Sequence, residues 1–338
     1  MTIAPTVSII MANYNGARYL PAAIRSVIRQ TLRSWELILV DDASTDNSVA
    51  AANEAGAGDP RITIVVQSKN QGPAAARNRA LAMAKGQWIA IVDSDDVMLP
   101  QRLELLLQRA EADSAAIIAD NLLVFSETSR PRPFLSDRLS RAPCWVGLGE
   151  FIDSNCLYSR TPDLGYLKPV IRAELIRALM LRYDESLRIG EDYNFLVRLM
   201  AQGHRLRLEP TSLYLYRKHE GSISHRLRAA DIFGLIAAER RFSEHARALG
   251  PDVIAALKRR RRSLESLAIY DDVIATIKRG DLVRAARRAS LNPHMWPLLT
   301  RPISARLKRL GKKSALSMRR FRPQPDDEAE LSGMLLQD

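Results

Sequence analysis

Three carboxylates crowd into four residues at the end of an apolar segment. Asp93, Asp95 and Asp96 follow residues 88–92, whose continuous apolar character predicts a buried strand. Carboxylates this close repel one another unless a cation or several hydrogen-bond donors neutralise them. Magnesium or manganese with oxygen ligands, shared with a phosphate, is the usual solution. The structural alternative is that Asp95 or Asp96 caps a helix predicted over residues 101–111.

The elements that must position these acids alternate along the chain. Strands are predicted over residues 7–11, 36–40, 62–66 and 88–92, and helices over residues 18–30, 46–55, 73–85 and 101–111. This alternation predicts a parallel sheet with helices on its faces, in which ligands bind beyond the carboxyl ends of the strands. Tyr14, Asp42, Asn70 and the Asp93 cluster all follow strand ends. We therefore expect them to converge on one edge of the sheet.

Six short segments lie in order between residue 5 and about residue 225. They are residues 7–10 with 13–15, 40–46, 70–73 with 77–78, 93–96, 190–192, and 216–219 with Ser222 and Ser224. In order and spacing they resemble the family 2 glycosyltransferases, which are inverting enzymes. The resemblance implies the GT-A nucleotide-sugar-binding fold, an α/β class with a Rossmann-like, mostly parallel central sheet.

The resemblance implies a nucleotide-diphosphate sugar as the donor and assigns residues to it. Tyr14 would stack on the base, and Asp42 would accept the uracil imide hydrogen, which selects uridine because cytosine lacks a donor there. Arg77 would lie near the nucleotide or its phosphate, and Asp93 or the backbone of Ser94 would contact the ribose. The structural alternatives are that Tyr14 only packs against its loop, that Asp42 caps a helix and that Arg77 forms a surface ion pair.

The resemblance also implies a divalent cation, Mn²⁺ or Mg²⁺, as the cofactor. Asp95 would coordinate the cation, which bridges the two phosphates and stabilises the leaving diphosphate. His219, preceded by Arg217 and Lys218, would be a further ligand or a phosphate partner. Asp96 would orient the metal ligands or cap the next helix.

Two adjacent acids supply candidates for the general base that an inverting displacement needs. Glu191 and Asp192 precede a helical apolar stripe and so lie in a first helical turn, where the dipole favours charged carboxylates. The resemblance aligns the catalytic aspartate with Asp192 and gives Glu191 a positioning role; acids that only begin a helix are the alternative. Tyr166 and Lys168 are candidates, with Asp96, for lining the sugar and acceptor cleft. The Gln-x-x-Arg-Trp signature of processive synthases is missing after these acids, which favours transfer of one sugar.

Positive charge is concentrated in the last third of the chain. The 338 residues carry a net charge of +12, whereas residues 258–322 hold 19 Lys and Arg against four acids, a net charge of +15. We predict a catalytic domain over residues 1–225, a helical basic extension over 226–322 and a disordered tail over 323–338. Basic amphipathic segments suit anionic membrane surfaces. A solvated helix face is the alternative, and nucleic acid is not expected because no recognised binding module accompanies the charge.

Cysteine content and hydropathy bear on the compartment. Cys144 and Cys156 are too few for a disulfide framework, which favours a reducing cytosol. Residues 1–6 show no secretory leader, and no apolar window is long enough to span a bilayer. We expect a cytoplasmic protein, peripheral on the inner face of the cell membrane.

The expected acceptor is a glycan or a lipid-linked sugar in bacterial exopolysaccharide or envelope glycan synthesis. Two other classes stay open: a non-catalytic scaffold that binds nucleotide sugars or glycans, and a sugar nucleotidyltransferase. The second class needs a glycine-rich basic loop near the first strand, which residues 13–16 do not supply. The sugar, the linkage and the oligomeric state stay open.

Overall fold

The computed structural model describes residues 4–126, 129–135, 138–156, 159, 162–219, 228–245 and 249–298. Ser222, Ser224, residues 299–322 of the predicted basic extension and the predicted tail over 323–338 lie outside the described residues. The chain forms two compact units, one up to Ala268 and one from Ile269 onward.

The first unit is built on a mixed, mostly parallel sheet. Its strands are β1 (Val7–Asn13), β2 (Trp35–Asp41), β3 (Ile62–Val66), β4 (Trp88–Ile91), β5 (Val97–Met98), β6 (Ile117–Ser126), β7 (Ser129–Pro133), β8 (Cys144–Val146), β9 (Val170–Arg172) and β10 (Leu206–Arg217). The strand order is β3-β2-β1-β4-β9-β6-β10-β5, with β7 on β6 and β8 on β10. Strands β3, β2, β1 and β4 are parallel, and Ile9 of β1 lies beside Leu37 and Ala90.

Helices cover the sheet and continue beyond it along the chain. They are α1 (Leu20–Ile28), α2 (Ser48–Gly56), α3 (Pro73–Met83), α4 (Arg102–Ala112), α5 (Leu148–Ser154), α6 (Ala173–Ala178), α7 (Glu191–Met200), α8 (Ala229–His245), α9 (Pro251–Lys278) and α10 (Leu282–Ser290). The core side chains of β1 and β2 are almost completely buried. Continuous apolar strands are typical of a sheet covered on both faces.

The structure confirms the four predicted strands and four predicted helices to within two residues at each end. Helix α2 begins at Ser48, because the Asp46 carboxylate accepts the Ser48 backbone N–H at 3.0 Å and so precedes the helix. The antiparallel strand β9, which lies between β4 and β6, was not predicted. Three residues are too few to show a periodic pattern, so only tertiary pairing defines this strand.

A buried ion pair supports the part of the sheet that carries the Asp93 cluster. The Arg102 and Asp120 side chains are fully buried and lie 2.8 Å apart. Asp120 also accepts the Leu213 backbone N–H at 3.1 Å, and Arg102 donates to the Lys168 carbonyl. The Arg102 guanidinium lies 4.7 Å from the centre of the Tyr214 ring. This pair therefore links helix α4 to β6, to β10 and to the segment that precedes β9.

Replacing Asp120 by Ala should lower the free energy of unfolding by about 3–5 kcal/mol, because it leaves the buried Arg102 charge unpaired. Urea denaturation measures this change. Glu111→Ala is the control, since Glu111 pairs with Arg172 at the surface and should cost about 0–1 kcal/mol. Equal losses for the two variants would contradict the assigned importance of the buried pair.

The helices after β10 divide between the two units. Helix α8 and residues 251–268 belong to the first unit, whereas Val273, Ala285 and Met295 form the core of the second. The first compact unit therefore extends beyond residue 225, where the motifs end; a functional domain boundary at that residue remains a proposal. Among the described residues, none of the helices combines the length and the apolar character needed to cross a bilayer.

Candidate functional site

Side chains that follow the parallel strands meet at the carboxyl edge of the sheet. Tyr14 follows β1, Asp42 follows β2 and Asp93 lies two residues beyond β4. Because these three strands are parallel neighbours, their ends lie together, as the sequence predicted. Tyr14 is 47% exposed, so part of this residue is accessible to a ligand. Ser94 lies close to Gly16, in the loop after β1.

Asp42 is buried and held by the segment that leads into helix α3. Its Oδ1 accepts from the Gln67 amide at 2.7 Å and the Gln71 backbone at 2.8 Å, and its Oδ2 accepts the Gly72 N–H at 2.7 Å. A carboxylate offers about four acceptor positions, so one remains for another donor. Asp42 does not cap α2, because Asp46 makes that first-turn hydrogen bond.

The three acids of the Asp93 cluster point their oxygens at one another. One ligand atom from each of Asp93, Asp95 and Asp96 lies within 4.8 Å of the others. Asp96 is fully buried; its Oδ1 accepts the Arg217 N–H at 2.7 Å. Its Oδ2 is buried and has no hydrogen-bond partner within the described ranges. Neither Asp95 nor Asp96 caps α4, whose N-cap is Gln101, so the capping alternative is wrong.

This cluster fits a hard divalent cation. Burial and the charge of Asp93 raise the pKa of Asp95 despite its 2.8 Å contact with His219 Nε2. Burial and the charges of Asp95 and Asp93 raise the pKa of Asp96 well above its usual value. The protein thus leaves negative charge in this cluster undercompensated. Oxygen ligands at this spacing suit Mg²⁺ or Mn²⁺.

Two buried cations join the Asp93 cluster to the beginning of helix α7. Arg77 Nη2 lies 2.8 Å from Asp93 Oδ1, and its Nη1 lies 2.6 Å from Glu191 Oε1 and 3.6 Å from Asp192 Oδ1. Lys168 Nζ lies 2.7 Å from Asp93 Oδ2 and 3.1 Å from Asp192 Oδ2. Arg77 is only 5% exposed, so the alternative of a surface ion pair is wrong.

The charges within this network follow from burial and neighbours. Burial alone would raise the pKa of Asp93, but Lys168 and Arg77 outweigh it and hold that pKa below the usual range. Burial and the charge of Asp192 raise the pKa of Glu191, although Arg77 opposes the rise. The surrounding acids outweigh desolvation and raise the pKa of Lys168, so this residue stays cationic. Asp192 Oδ1 is buried and accepts no hydrogen bond from any described residue, although Arg77 Nη1 lies 3.6 Å from it.

Sequence reasoning found most of these residues but not every contact. Lys168, a candidate for lining the cleft, pairs with both Asp93 and Asp192 in this network. Tyr166 is half-buried, with its ring centre 6.0 Å from those of Phe134 and Tyr216. Arg217, two residues before His219, donates from Nε to the Asp95 carbonyl at 2.9 Å.

Tyr214 was not predicted as a site residue. Its hydroxyl accepts the Asp93 backbone N–H at 3.0 Å and so fixes the first residue of the cluster. Within an apolar strand such as β10, a tyrosine is ordinarily a core residue, and no sequence signal distinguishes the two roles.

The chain matches known proteins along most of its length. A family model described as "Glycosyl transferase family 2" matches residues 8–178. The succinoglycan biosynthesis protein ExoO of Rhizobium meliloti is 37% identical over 308 residues, which are 91% of this chain and 87% of that protein.

Two solved structures share the fold. S. aureus TarS 1–349 in complex with UDP-GlcNAc has a TM-score of 0.62 at 20% identity, covering 76% of this chain and 73% of TarS 1–349. The mannosyltransferase PcManGT from Pyrobaculum calidifontis, in complex with GDP-Man and Mn²⁺, has a TM-score of 0.56 at 18% identity. That match covers 92% of this chain and 89% of PcManGT. With its GT-A fold and the match over residues 8–178, the chain belongs to the family 2 glycosyltransferases.

Proposed function

We propose that this glycosyltransferase moves one sugar, with inversion, from a UDP-sugar to a glycan or lipid-linked acceptor. The observation that carries the proposal is the double ion pair of Lys168, which joins Asp93 at the strand end to Asp192 on helix α7. A donor-binding acid and a candidate base therefore lie in one cluster. The similarity to ExoO, a protein named for succinoglycan biosynthesis, supports bacterial exopolysaccharide or envelope glycan assembly as the setting.

The donor nucleotide would lie across the ends of β1, β2 and β4. Tyr14 would stack on the base, and the remaining acceptor position of Asp42 would receive the uracil imide hydrogen. Asp93 and the backbone of Ser94 would contact the ribose. One structural neighbour holds UDP-GlcNAc and the other GDP-Man, so the choice of uridine rests on Asp42 rather than on the fold.

Asp95 and Asp96 would hold the divalent cation, with His219 as a further ligand or phosphate partner. When bound, the cation would neutralise the diphosphate as it leaves. The acids of this cluster would hold the ion, because carboxylates on their own would repel the donor phosphates. Arg77 would act on the donor only through Asp93, because its guanidinium is surrounded by acids.

The acceptor would react in one displacement. Its hydroxyl oxygen forms a bond to the anomeric carbon while the bond from that carbon to the diphosphate oxygen breaks on the opposite side. The Asp192 carboxylate takes the hydroxyl proton as attack proceeds. Lys168 orients this carboxylate through Oδ2, and Glu191 fixes Arg77 beside it. Tyr166 would line the acceptor side of the cleft.

Nucleotide release from a donor panel tests this function. UDP-glucose, UDP-galactose, UDP-GlcNAc and GDP-mannose are incubated with the protein, Mn²⁺ and a membrane lipid extract as acceptor source. We expect metal-dependent release of UDP from one UDP-sugar. A scaffold would bind donors without releasing nucleotide, and a nucleotidyltransferase would instead form pyrophosphate from UTP and a sugar phosphate. Either result would contradict the proposal.

We also propose that the protein is cytoplasmic and binds the inner face of the membrane through its basic C-terminal segment, residues 258–322. Within the described part, Leu282, Val283 and Trp296 are more than half exposed, and Arg284 and Arg287 accompany them on or near helix α10. Apolar side chains beside arginines suit an anionic lipid surface. Part of the arginine run contacts protein instead: Arg259 pairs with Asp153 and Arg260 is buried.

The protein should sediment with vesicles of phosphatidylglycerol but not with neutral phosphatidylcholine vesicles, and 0.5 M salt should weaken binding because it screens exposed charge. The double change Leu282→Ser and Val283→Ser should reduce binding about tenfold. Met180→Ser is the control, since Met180 is an exposed apolar residue far along the sequence from α10. Equal binding to both vesicle types at low salt would count against a charged membrane contact.

A further inference from the structure

Helices α8 and α9 contact the turn that carries the candidate base at three points. Asp231 Oδ2 of α8 lies 3.3 Å from Arg188 Nη1. Gly190 has a φ of +80°, and a Cβ at that position would lie 2.6 Å from Leu235 Cδ2 of α8. The third contact comes from α9 and falls on Tyr193, next to Asp192. The turn therefore contacts helices that come after residues 216–219, the last of the six motif segments.

The α9 contact is a buried arginine lying over an aromatic ring. The Arg260 guanidinium carbon is 3.7 Å from the centre of the Tyr193 ring. The same ring stacks on Phe151 at 5.8 Å with an interplanar angle of 5°. The Tyr193 ring therefore contacts both a cation and an aromatic side chain, and each contact is favourable.

Arg260 is fixed by partners of its own. It is 5% exposed, its Nε lies 3.3 Å from Glu239 Oε2 of α8, and it donates to the Asn155 carbonyl. The Glu239 side chain is equally buried. The buried Arg260 guanidinium is expected to keep this position, because moving away from its partners would leave the charge desolvated and unpaired. The neighbouring Arg259 differs, since it pairs with Asp153 at the surface.

A ring held in this way constrains the first turn of α7. Tyr193 and Asp192 are consecutive residues of that turn, so a shift of the ring also moves the Asp192 carboxylate relative to Lys168. The ring, not the hydroxyl, makes these contacts: Tyr193 Oη is buried and has no hydrogen-bond partner within the described residues. Misplacing a base by about 1 Å can cost ~100-fold in rate.

We propose that Arg260 is a positioning residue for Asp192, and that α8 and α9 hold the base turn in its active geometry. The proposal rests on the assignment of Asp192 as the base. It gives the arginine run of α9 a function in addition to any membrane contact. It also predicts that part of the catalytic geometry depends on residues beyond the segment matched by the family model.

Matched variants of the full chain test this positioning. Arg260→Lys keeps the charge but loses the planar group over the ring, and Arg259→Lys is the control one residue away. Tyr193→Leu removes the ring, whereas Tyr193→Phe removes only the hydroxyl. Leu235→Ala is a milder variant that loosens the contact at Gly190. Amide hydrogen exchange of residues 188–196 and donor turnover are measured for each.

Arg260→Lys and Tyr193→Leu should each accelerate exchange in residues 188–196 and lower kcat about 10- to 100-fold, with KM for the donor within about twofold of wild type. The double variant Arg260→Lys with Tyr193→Leu should have a kcat no lower than that of either single variant, because both changes remove the same contact. Arg259→Lys and Tyr193→Phe should resemble wild type, and Leu235→Ala should show the same changes to a smaller extent.

Unchanged exchange in both Arg260→Lys and Leu235→Ala would overturn the inference, as would equal kcat values for Arg260→Lys and Arg259→Lys. Failure of the proposed function has a different signature. A wild-type protein that turned over no donor would remove the kinetic comparison, while hydrogen exchange would still decide whether Arg260 fixes the turn.

Discussion

Replacing Asp192 by Asn should lower the transfer rate by about 100-fold or more, in line with the ~10²–10⁴ typical of general base catalysis. The amide keeps the size of the side chain and can still meet Lys168, but it cannot take a proton from the acceptor hydroxyl at neutral pH. UDP affinity should change little, because in the proposed site Tyr14, Asp42 and the Asp93 cluster would hold the nucleotide. Transfer rate and calorimetric UDP affinity, measured side by side, separate the two effects.

Glu191→Gln is the matched control for this change. Its partner is Arg77, so the amide should loosen the network and cost less than Asp192→Asn. If Glu191→Gln lost turnover while Asp192→Asn kept it, the base would be Glu191. If both variants turned over normally, residues 190–192 would only begin a helix and the base would lie elsewhere in the cleft.

Asp95→Ala should lower transfer by about three orders of magnitude, because a bound cation supplies several kcal/mol of charge stabilisation. The fold should survive, since the Asp95 side chain is partly exposed and, among the described residues, its side-chain hydrogen bond is to His219. Excess chelator should have the same effect on the wild-type protein. Transfer rate and Mn²⁺ affinity measure the change.

Asp59→Ala is a suitable control for Asp95→Ala, because Asp59 pairs with Arg61 away from the cluster and should leave both quantities unchanged. Full activity of the wild type in excess chelator would rule out a metal-assisted transfer. Retained Mn²⁺ affinity in Asp95→Ala would instead move the ion to other ligands.

The edge of the sheet that carries Tyr14, Asp42 and Asp93 was predictable, because each of these residues follows the end of a strand. Apolar runs of four or five residues define β1, β2 and β4, and parallel strands bring their carboxyl ends together. Tyr14, Asp42 and Asp93 could therefore be placed at one edge from the sequence. Each of these residues follows a predicted strand, and this local pattern was enough to place it.

The ion pairs that join the Asp93 cluster to the candidate base were not predictable, because they connect residues far apart in sequence. Arg77 and Glu191 are separated by 114 positions, and Lys168 reaches two acids on different elements. No periodic pattern records such pairs. Lys168 was predicted only as a candidate for lining the cleft, and neither of its ion pairs could be predicted from the sequence.

The burial of Arg260 could not be predicted from composition. Within a run of four arginines it was expected to be part of a basic surface, since arginine is rarely fully buried. Glu239 and the Tyr193 ring make burial possible, and both are contributed by other helices. Charge counts describe the run as a whole and cannot distinguish one buried member from its exposed neighbours.

One calorimetric experiment tests the donor nucleotide, the cation and the role of Asp42 together. The wild-type protein is titrated with UDP and with CDP, in Mn²⁺ and again in excess chelator. We expect UDP to bind in Mn²⁺ at least about tenfold more tightly than CDP, because cytosine has no imide hydrogen for Asp42. Chelation should abolish most of that affinity. Equal affinity for the two nucleotides, or UDP binding unaffected by chelation, would contradict a metal-dependent uridine site at this edge of the sheet.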